Sequence, residues 1–390
     1  MKRLRIGVAF IGDARDPRAR SGTPYGVVSG LEALGVEVLA LRAAPTHRVD
    51  QIAAAALAPR HLARTAPGSW GSRCRQAYTA AHVAPPAMAL RTRVARRAAR
   101  GVQVDGWVQL GAGYRFDVDA PRVVYDDMTV PQATRFPYRN WAALSPADID
   151  RRIETQRGVY ATATTCCMTS SWAAHSAVED LGVPVDRVRV VGAGTHEEPR
   201  SIVRDWSRPR FLLVGFDFDR KNGPRVLRAF SAVRRAHPDA VLDVVGGHPP
   251  IDQPGVTGHG VLRRDDPQDR AVLRRLFDRA TCFVMPSLFE PAGVVFTEAA
   301  AAGLPSIAGT NGGSRDFVGD GGVLVDPQDD GQVTSAMLRL AEPVEAARLG
   351  AVAAGRTELF SWTAVAARLL NGLGIPGAAS SPQGDYLPLQ

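Results

Sequence analysis

The sequence predicts an α/β protein of two domains, each built on a parallel sheet. Strand-like apolar runs alternate with helical patterns through both halves. A length of 390 residues suffices for two domains of ordinary size, each with its own core. The glycine-bearing and charged motifs fall at strand ends, where parallel sheets collect ligands.

Residues 6–11 read as the first strand. Lys2 and Arg3 precede this apolar stretch, but it is too short for a signal peptide and runs into Gly12-Asp13. A loop rich in Gly, Pro, Ser and Arg ends in Ser21-Gly-Thr-Pro-Tyr-Gly26, where a helix carrying Val27, Val28, Leu31 and Leu34 begins. Residues 36–41, 107–110, 122–125, 162–169 and 188–191 read as further strands, with a helix around 148–160. These make a first domain over 1–195. Residues 196–209 are polar, hold two prolines and lack periodicity, so they read as a linker. In the second domain, 210–371, strand 211–214 precedes a helix in which Val226, Phe230 and Val233 keep a regular apolar spacing. Residues 240–245, 281–285, 305–308 and 322–325 read as its other strands. From 372 to 390 the Gly-, Pro- and Ser-rich chain reads as a loose tail.

Hydrophobic residues at 45% and charged residues at 22% are ordinary globular composition. No apolar run approaches the roughly 20 residues of a membrane span. Cys74, Cys166, Cys167 and Cys282 show no metal-site spacing and read as small buried thiols of a reducing cytoplasm. The net charge of +8 is uneven: residues 1–190 hold 26 of the 47 Lys and Arg but only 16 of the 39 Asp and Glu. Part of that excess is Arg91, Arg93, Arg96, Arg97 and Arg100; at helical spacing Leu90, Val94 and Ala98 fall on one side and Arg93, Arg96, Arg97 and Arg100 on another. A solvated outer face is the favoured reading, and peripheral contact with an anionic membrane is the alternative. Nucleic acid is not an expected partner, because no recognition motif accompanies the charge and aromatics are 7%.

The most informative stretch is Ser287-Leu-Phe-Glu-Pro-Ala-Gly-Val-Val-Phe-Thr-Glu-Ala-Ala-Ala-Ala-Gly-Leu-Pro305. It sets Glu290 in a loop and Glu298 just inside a helix that Gly303 and Pro305 end. The start of that helix offers open amides and partial positive charge to a phosphate. A carboxylate would repel the phosphate, so each glutamate suits neutral hydroxyl donors, and vicinal diols offer two apiece. A diphosphate with a sugar at each end meets that demand, which makes a nucleotide-sugar the natural ligand. Two solvated glutamates beside an ordinary turn are the competing reading.

Val214-Gly-Phe-Asp-Phe-Asp-Arg-Lys-Asn-Gly-Pro224 follows another strand of the same domain. Its Lys221 can neutralise a departing diphosphate, with Arg220 assisting. Asp217 and Asp219 invite a metal reading, but they precede a lysine in the second domain, and no metal or cofactor is expected. In the first domain Gly22 would let the backbone approach a diphosphate or sugar, unless Ser21 to Pro24 is a plain helix cap. Asp126 and Asp127 end a strand and suit an acceptor hydroxyl or ammonium, or are two solvated aspartates of a turn.

The Phe-Glu-Pro-Ala-Gly and Glu-Ala-Ala-Ala-Ala-Gly-Leu-Pro context resembles the donor-site signature of retaining GT-B glycosyltransferases of family 4. The stretch from Gly215 to Lys221 and Gly223 is similar to that family's phosphate-binding Gly-x-x-x-x-x-Lys-x-Gly, except that Phe216 stands where many relatives carry arginine. The loops Ser21–Gly26 and Asn311-Gly-Gly-Ser-Arg-Asp316 also match, the latter in support. The resemblance is strong over about 205–330 and weaker over the first domain. It implies the GT-B fold, two facing Rossmann-like domains with an interdomain cleft, and a retaining, metal-independent transfer from a nucleotide-sugar, most often of UDP. Glu290 would grip the sugar, Glu298 the ribose, and Lys221 with the amides of Gly293, Val294 and Val295 the diphosphate. Asp127 is the catalytic candidate on the acceptor side. The acceptor would be a glycan, a lipid-linked sugar or a small molecule such as an aminoglycoside, and the setting cytoplasmic, with the inner membrane face as the alternative. A sugar-nucleotide 2-epimerase and a silent nucleotide-sugar-binding subunit are the alternatives.

Overall fold

The computed structural model describes residues 3–136, 141–195, 197–200 and 202–375. The chain parts into two compact units, Met1–Val191 with Thr363–Gln390, and Gly192–Trp362. Each is α/β and carries a six-stranded sheet whose paired strands all run parallel.

The first unit holds β1 (Arg5–Phe10), β2 (Glu37–Arg42), β3 (Gly106–Leu110), β4 (Arg122–Asp126), β5 (Thr165–Met168) and β6 (Val188–Val190). Their order is β2-β1-β3-β4-β5-β6. Every residue of β3 and β4 is buried, because a parallel sheet is covered by helices on both faces. The chain leaves β1 for β2 on one side and returns to β3 on the other. That reversal makes a switch point at the carboxyl ends of β1 and β3.

The second unit holds β7 (Arg210–Val214), β8 (Val241–Val245), β9 (Val256–Gly260), β10 (Cys282–Met285), β11 (Ser306–Gly309) and β12 (Gly322–Val325), in the order β12-β11-β10-β7-β8-β9. Its switch point lies between β7 and β10. Phe211, Leu213, Leu242 and Val244 of the sheet pack with Val226, Phe230 and Val233 of helix Gly223–Ala236, the stripe expected from the spacing. Burying a side chain such as Phe230 contributes about 2–3 kcal/mol.

The structure departs from the sequence reading in several places. β9 is an edge strand of sequence Val-Thr-Gly-His-Gly, with no apolar run to announce it. Residues 197–200 and 202–209 are not a free linker but part of the second unit. Arg204 donates to the carbonyls of Phe277 (3.1 Å) and Asp278 (3.0 Å), and Arg200 pairs with Asp278 at 3.1 Å. Helix Trp362–Gly372, read as the end of the second domain, belongs to the first unit from Thr363 onward. There Thr165 Oγ1 donates to the Gly372 carbonyl at 2.8 Å, and buried Arg368 donates to the Val191 carbonyl at 3.1 Å. The loose tail lies outside the described residues from 376 on.

Helix Pro85–Ala99 is basic, but its inward stripe is Ala87, Met88, Arg91 and Ala95 rather than Leu90, Val94 and Ala98. Arg91 is buried, donating to the His82 carbonyl at 2.8 Å and pairing with Asp50 at 3.3 Å, so it is no part of a solvated charged face. Arg93, Arg96, Arg97 and Arg100 are exposed as expected. Cys166, Cys167 and Cys282 are buried free thiols and Cys74 is half-buried. Among the described residues, no helix is long and apolar enough to cross a membrane.

Candidate functional site

In the second unit the site grows from the loops after β7 and β10, on either side of the switch point. β7 runs into Gly215, and the chain turns back on itself with the Lys221 amide donating to the Asp217 carbonyl at 2.9 Å. Helix Gly223–Ala236 follows. The Lys221 side chain passes directly over Gly215: a Cβ there would stand 2.5 Å from Lys221 Cγ, so only glycine leaves room for it. The Lys221 ammonium meets Glu290 Oε2, and Arg220 reaches the same oxygen at 3.2 Å while donating to the Phe289 carbonyl at 2.9 Å. Thus Arg220, Lys221 and Glu290 form one cluster. Phe216, beside this cluster in sequence, is exposed.

The charges of this cluster shape one another. Burial would raise Glu290, but Lys221 and Arg220 together hold it below its ordinary value. Burial lowers Lys221 from its usual range, against the pull of Glu290, because the carboxylate is shared with a second cation. Lys2 and Lys221 are the only lysines among 47 Lys and Arg. A compact ammonium at Lys221 fits where a planar guanidinium would not, in the channel over Gly215.

Glu290 is fixed through its backbone by the Asn311-Gly-Gly loop: its amide donates to the Asn311 carbonyl at 3.0 Å and its carbonyl accepts from the Gly313 amide at 2.9 Å. Gly293 (φ 67°) then caps helix Val294–Ala301, in a conformation open chiefly to glycine. The first-turn amides of Val294 and Val295 have no acceptor within the helix, and no acidic residue occupies that turn. One turn on, Glu298 is buried. Its carboxylate is held by Arg264 in a fork, Nη1 to Oε1 at 2.6 Å and Nη2 to Oε2 at 2.8 Å. Sequence reasoning did not single out Arg264. It lies 34 residues from Glu298, amid many arginines, and only the fold joins them.

In the first unit the loop after β1 carries three successive left-handed residues, Arg20 (φ 43°), Ser21 (φ 57°) and Gly22 (φ 84°), before helix Thr23–Ala33. Two of them are not glycine, so the turn stores strain. It places Arg20 3.5 Å from Asp127, whose side chain is 41% exposed. Asp126 differs. It is buried, with Oδ2 accepting from the Ala112 amide and the Tyr160 hydroxyl, both at 3.1 Å, and Oδ1 from the Asp127 amide at 3.2 Å. Its carboxylate is committed to the fold, and Asp127 is the one of the pair that reaches solvent.

Burial, and next the charge of Asp127, push Asp126 up from 3.8 to about 6. A carboxyl raised in the folded state stabilises fully below its unfolded value, and the gain is lost as pH rises through the folded one. Asp126 is therefore expected to remove about 3 kcal/mol of stability between roughly pH 4 and pH 6. Urea titrations across that range should show a slope that Asp126→Asn flattens.

Among the described residues, no three His, Cys, Asp or Glu stand together as a metal site. Asp219 is exposed, and Asp217 accepts from the Arg220 amide at 3.3 Å.

Residues 208–343 match the family model described as glycosyl transferases group 1. Over 172 residues the chain is 34% identical to a GDP-mannose-dependent alpha-(1-6)-phosphatidylinositol monomannoside mannosyltransferase of Mycolicibacterium smegmatis, a match covering 40% of this chain and 44% of that one. Over 197 residues it is 27% identical to sucrose-phosphate synthase of Spinacia oleracea, covering 43% of this chain and 18% of that one. The chain thus spans less than half the length of these curated relatives. Among solved structures, sucrose-phosphate synthase from Thermosynechococcus elongatus aligns over 97% of this chain and 100% of its own, with a TM-score of 0.65 at 18% identity. The two six-stranded parallel sheets accordingly match the GT-B glycosyltransferase fold, as the motifs implied.

Proposed function

We propose that the protein is a retaining glycosyltransferase that moves a sugar from a nucleoside diphosphate sugar, with a UDP-sugar the first donor to try, to a hydroxyl of an acceptor. One observation carries this reading. Lys221, Arg220 and Glu290 converge at the switch point of the unit matched by the glycosyl transferases group 1 model, beside a helix start free of acid and one turn from Glu298.

In the reaction, the bond from the anomeric carbon to the diphosphate breaks and a bond to the acceptor oxygen forms on the same face. The departing phosphate takes the acceptor's proton, leaving a glycoside and a nucleoside diphosphate. Negative charge grows on that phosphate. Lys221, Arg220 and the amides of Val294 and Val295 answer it in a setting already arranged for an anion. Glu290 accepts from sugar hydroxyls and Glu298 from the ribose diol. On the other unit Asp127, half-exposed and beside Arg20, takes an acceptor hydroxyl or ammonium. No step requires a metal.

Calorimetry of UDP, GDP and ADP, in EDTA, tests the donor site. One nucleotide is expected to bind to the wild type, and Glu298→Ala to weaken it at least about tenfold, since each hydroxyl–carboxylate bond is worth about 1.5–3 kcal/mol. Failure of all three to bind the folded protein, wild type or variant, would remove the donor-site assignment. Product analysis with donor and acceptor then separates transfer from 2-epimerisation, and acceptor-dependent turnover excludes a silent subunit.

A further inference from the structure

The reading of Glu298 as the ribose acceptor leaves Arg264 without a role, yet Arg264 holds both oxygens that a ribose diol would need. The Glu298 side chain is 6% exposed and that of Arg264 is 52% exposed. The guanidinium therefore stands between the carboxylate and solvent. Among the described residues it is the only side chain on that carboxylate.

The two partners differ in freedom. Glu298 projects from a helix whose neighbouring residues, Phe296 to Ala301, are all buried, so it cannot swing. Arg264 lies in the loop between β9 and helix Pro267–Arg279. The backbone of that loop is pinned: the Arg263 amide donates to Asp269 at 2.8 Å, and Arg270 donates to the Arg264 carbonyl at 3.2 Å. Its side chain can turn about a fixed base, a rotamer change that exposed residues make within nanoseconds. The charge of Glu197 also acts on Arg264 and offers the released guanidinium a second attraction.

We propose that Arg264 is a removable plug of the nucleotide site, closing Glu298 while the site is empty and leaving it when a ribose diol arrives. A nucleoside diphosphate then binds with its intrinsic affinity less the free energy needed to part the ion pair. Arg264 is a positioning residue that holds the buried carboxylate aimed until the nucleotide replaces it. The inference rests on the proposed donor site.

Calorimetry of UDP, GDP and ADP with Arg264→Ala, Arg264→Lys and Glu298→Ala tests it, with thermal unfolding of each variant alongside. For whichever nucleotide the wild type binds, Arg264→Ala is expected to bind about five- to fifty-fold more tightly, the competing bidentate charge pair being gone. Arg264→Lys, which keeps charge but not the fork, should fall between. A merely structural arginine would not raise affinity on removal. Tighter binding by Arg264→Ala when the wild type shows none supports the plug most directly. Binding lost in Glu298→Ala but unchanged or weakened in Arg264→Ala overturns the plug and leaves the donor site standing. No binding by any form overturns both.

Discussion

Replacing Lys221 with alanine is expected to lower kcat/KM about a thousandfold while leaving the protein folded. The rate effect follows from charge: a single preorganised donor aimed at developing negative charge contributes about two to three orders of magnitude. The mild effect on stability follows from geometry. Glu290 keeps Arg220 at 3.2 Å and the Ser287 hydroxyl at 3.4 Å, so its carboxylate is not orphaned when the ammonium goes. Donor kinetics and the thermal midpoint should be measured together. A rate loss that merely tracked unfolding would make Lys221 a structural cation.

Glu290→Ala is expected to behave oppositely, costing about 3–5 kcal/mol of stability, because a buried charge then loses its partner. Lys221 is 8% exposed, and among the described residues Glu290 is the one carboxylate paired with it. Burial already holds the Lys221 ammonium below its ordinary value, and removal of the anion lowers it further. A folded-state value depressed below the unfolded one destabilises most at low pH, and the deficit fades as pH rises towards the unfolded value. The variant should accordingly recover stability as pH rises towards the ordinary lysine value, and a Lys221→Met/Glu290→Ala double variant should show no such recovery. Urea midpoints at several pH values read both effects. A Glu290→Ala protein as stable as wild type would mean that water already solvates the lysine.

The sheets were legible because parallel strands buried on both faces are written as short apolar runs, such as Cys282 to Met285, and because glycines mark their ends. The loop after β10 was legible for a related reason: Gly293, Glu298, Gly303 and Pro305 lie within one strand–loop–helix unit, so local spacing announces it. β9 escaped because an edge strand packs little and its glycines mask it. The inward stripe through Arg91 was missed because a helical stripe containing arginine looks polar until Asp50, 41 residues away, is found to receive it. Arg264 was hidden likewise, its meaning lying in a partner on another element. Asp126 and Asp127 are neighbours in sequence, but Asp126 closes a strand covered on both faces while Asp127 lies just past its end, half-exposed.

The return of the last helix to the first sheet has a consequence for synthesis. The first unit is discontinuous, its final piece supplied only after residue 362, whereas Gly192–Trp362 is a single uninterrupted stretch. On a ribosome the amino-terminal sheet must therefore wait, its face at Val123 and Thr165 uncovered, until the entire second unit has emerged. The later-made unit can complete its fold first, and the earlier-made one is sealed last.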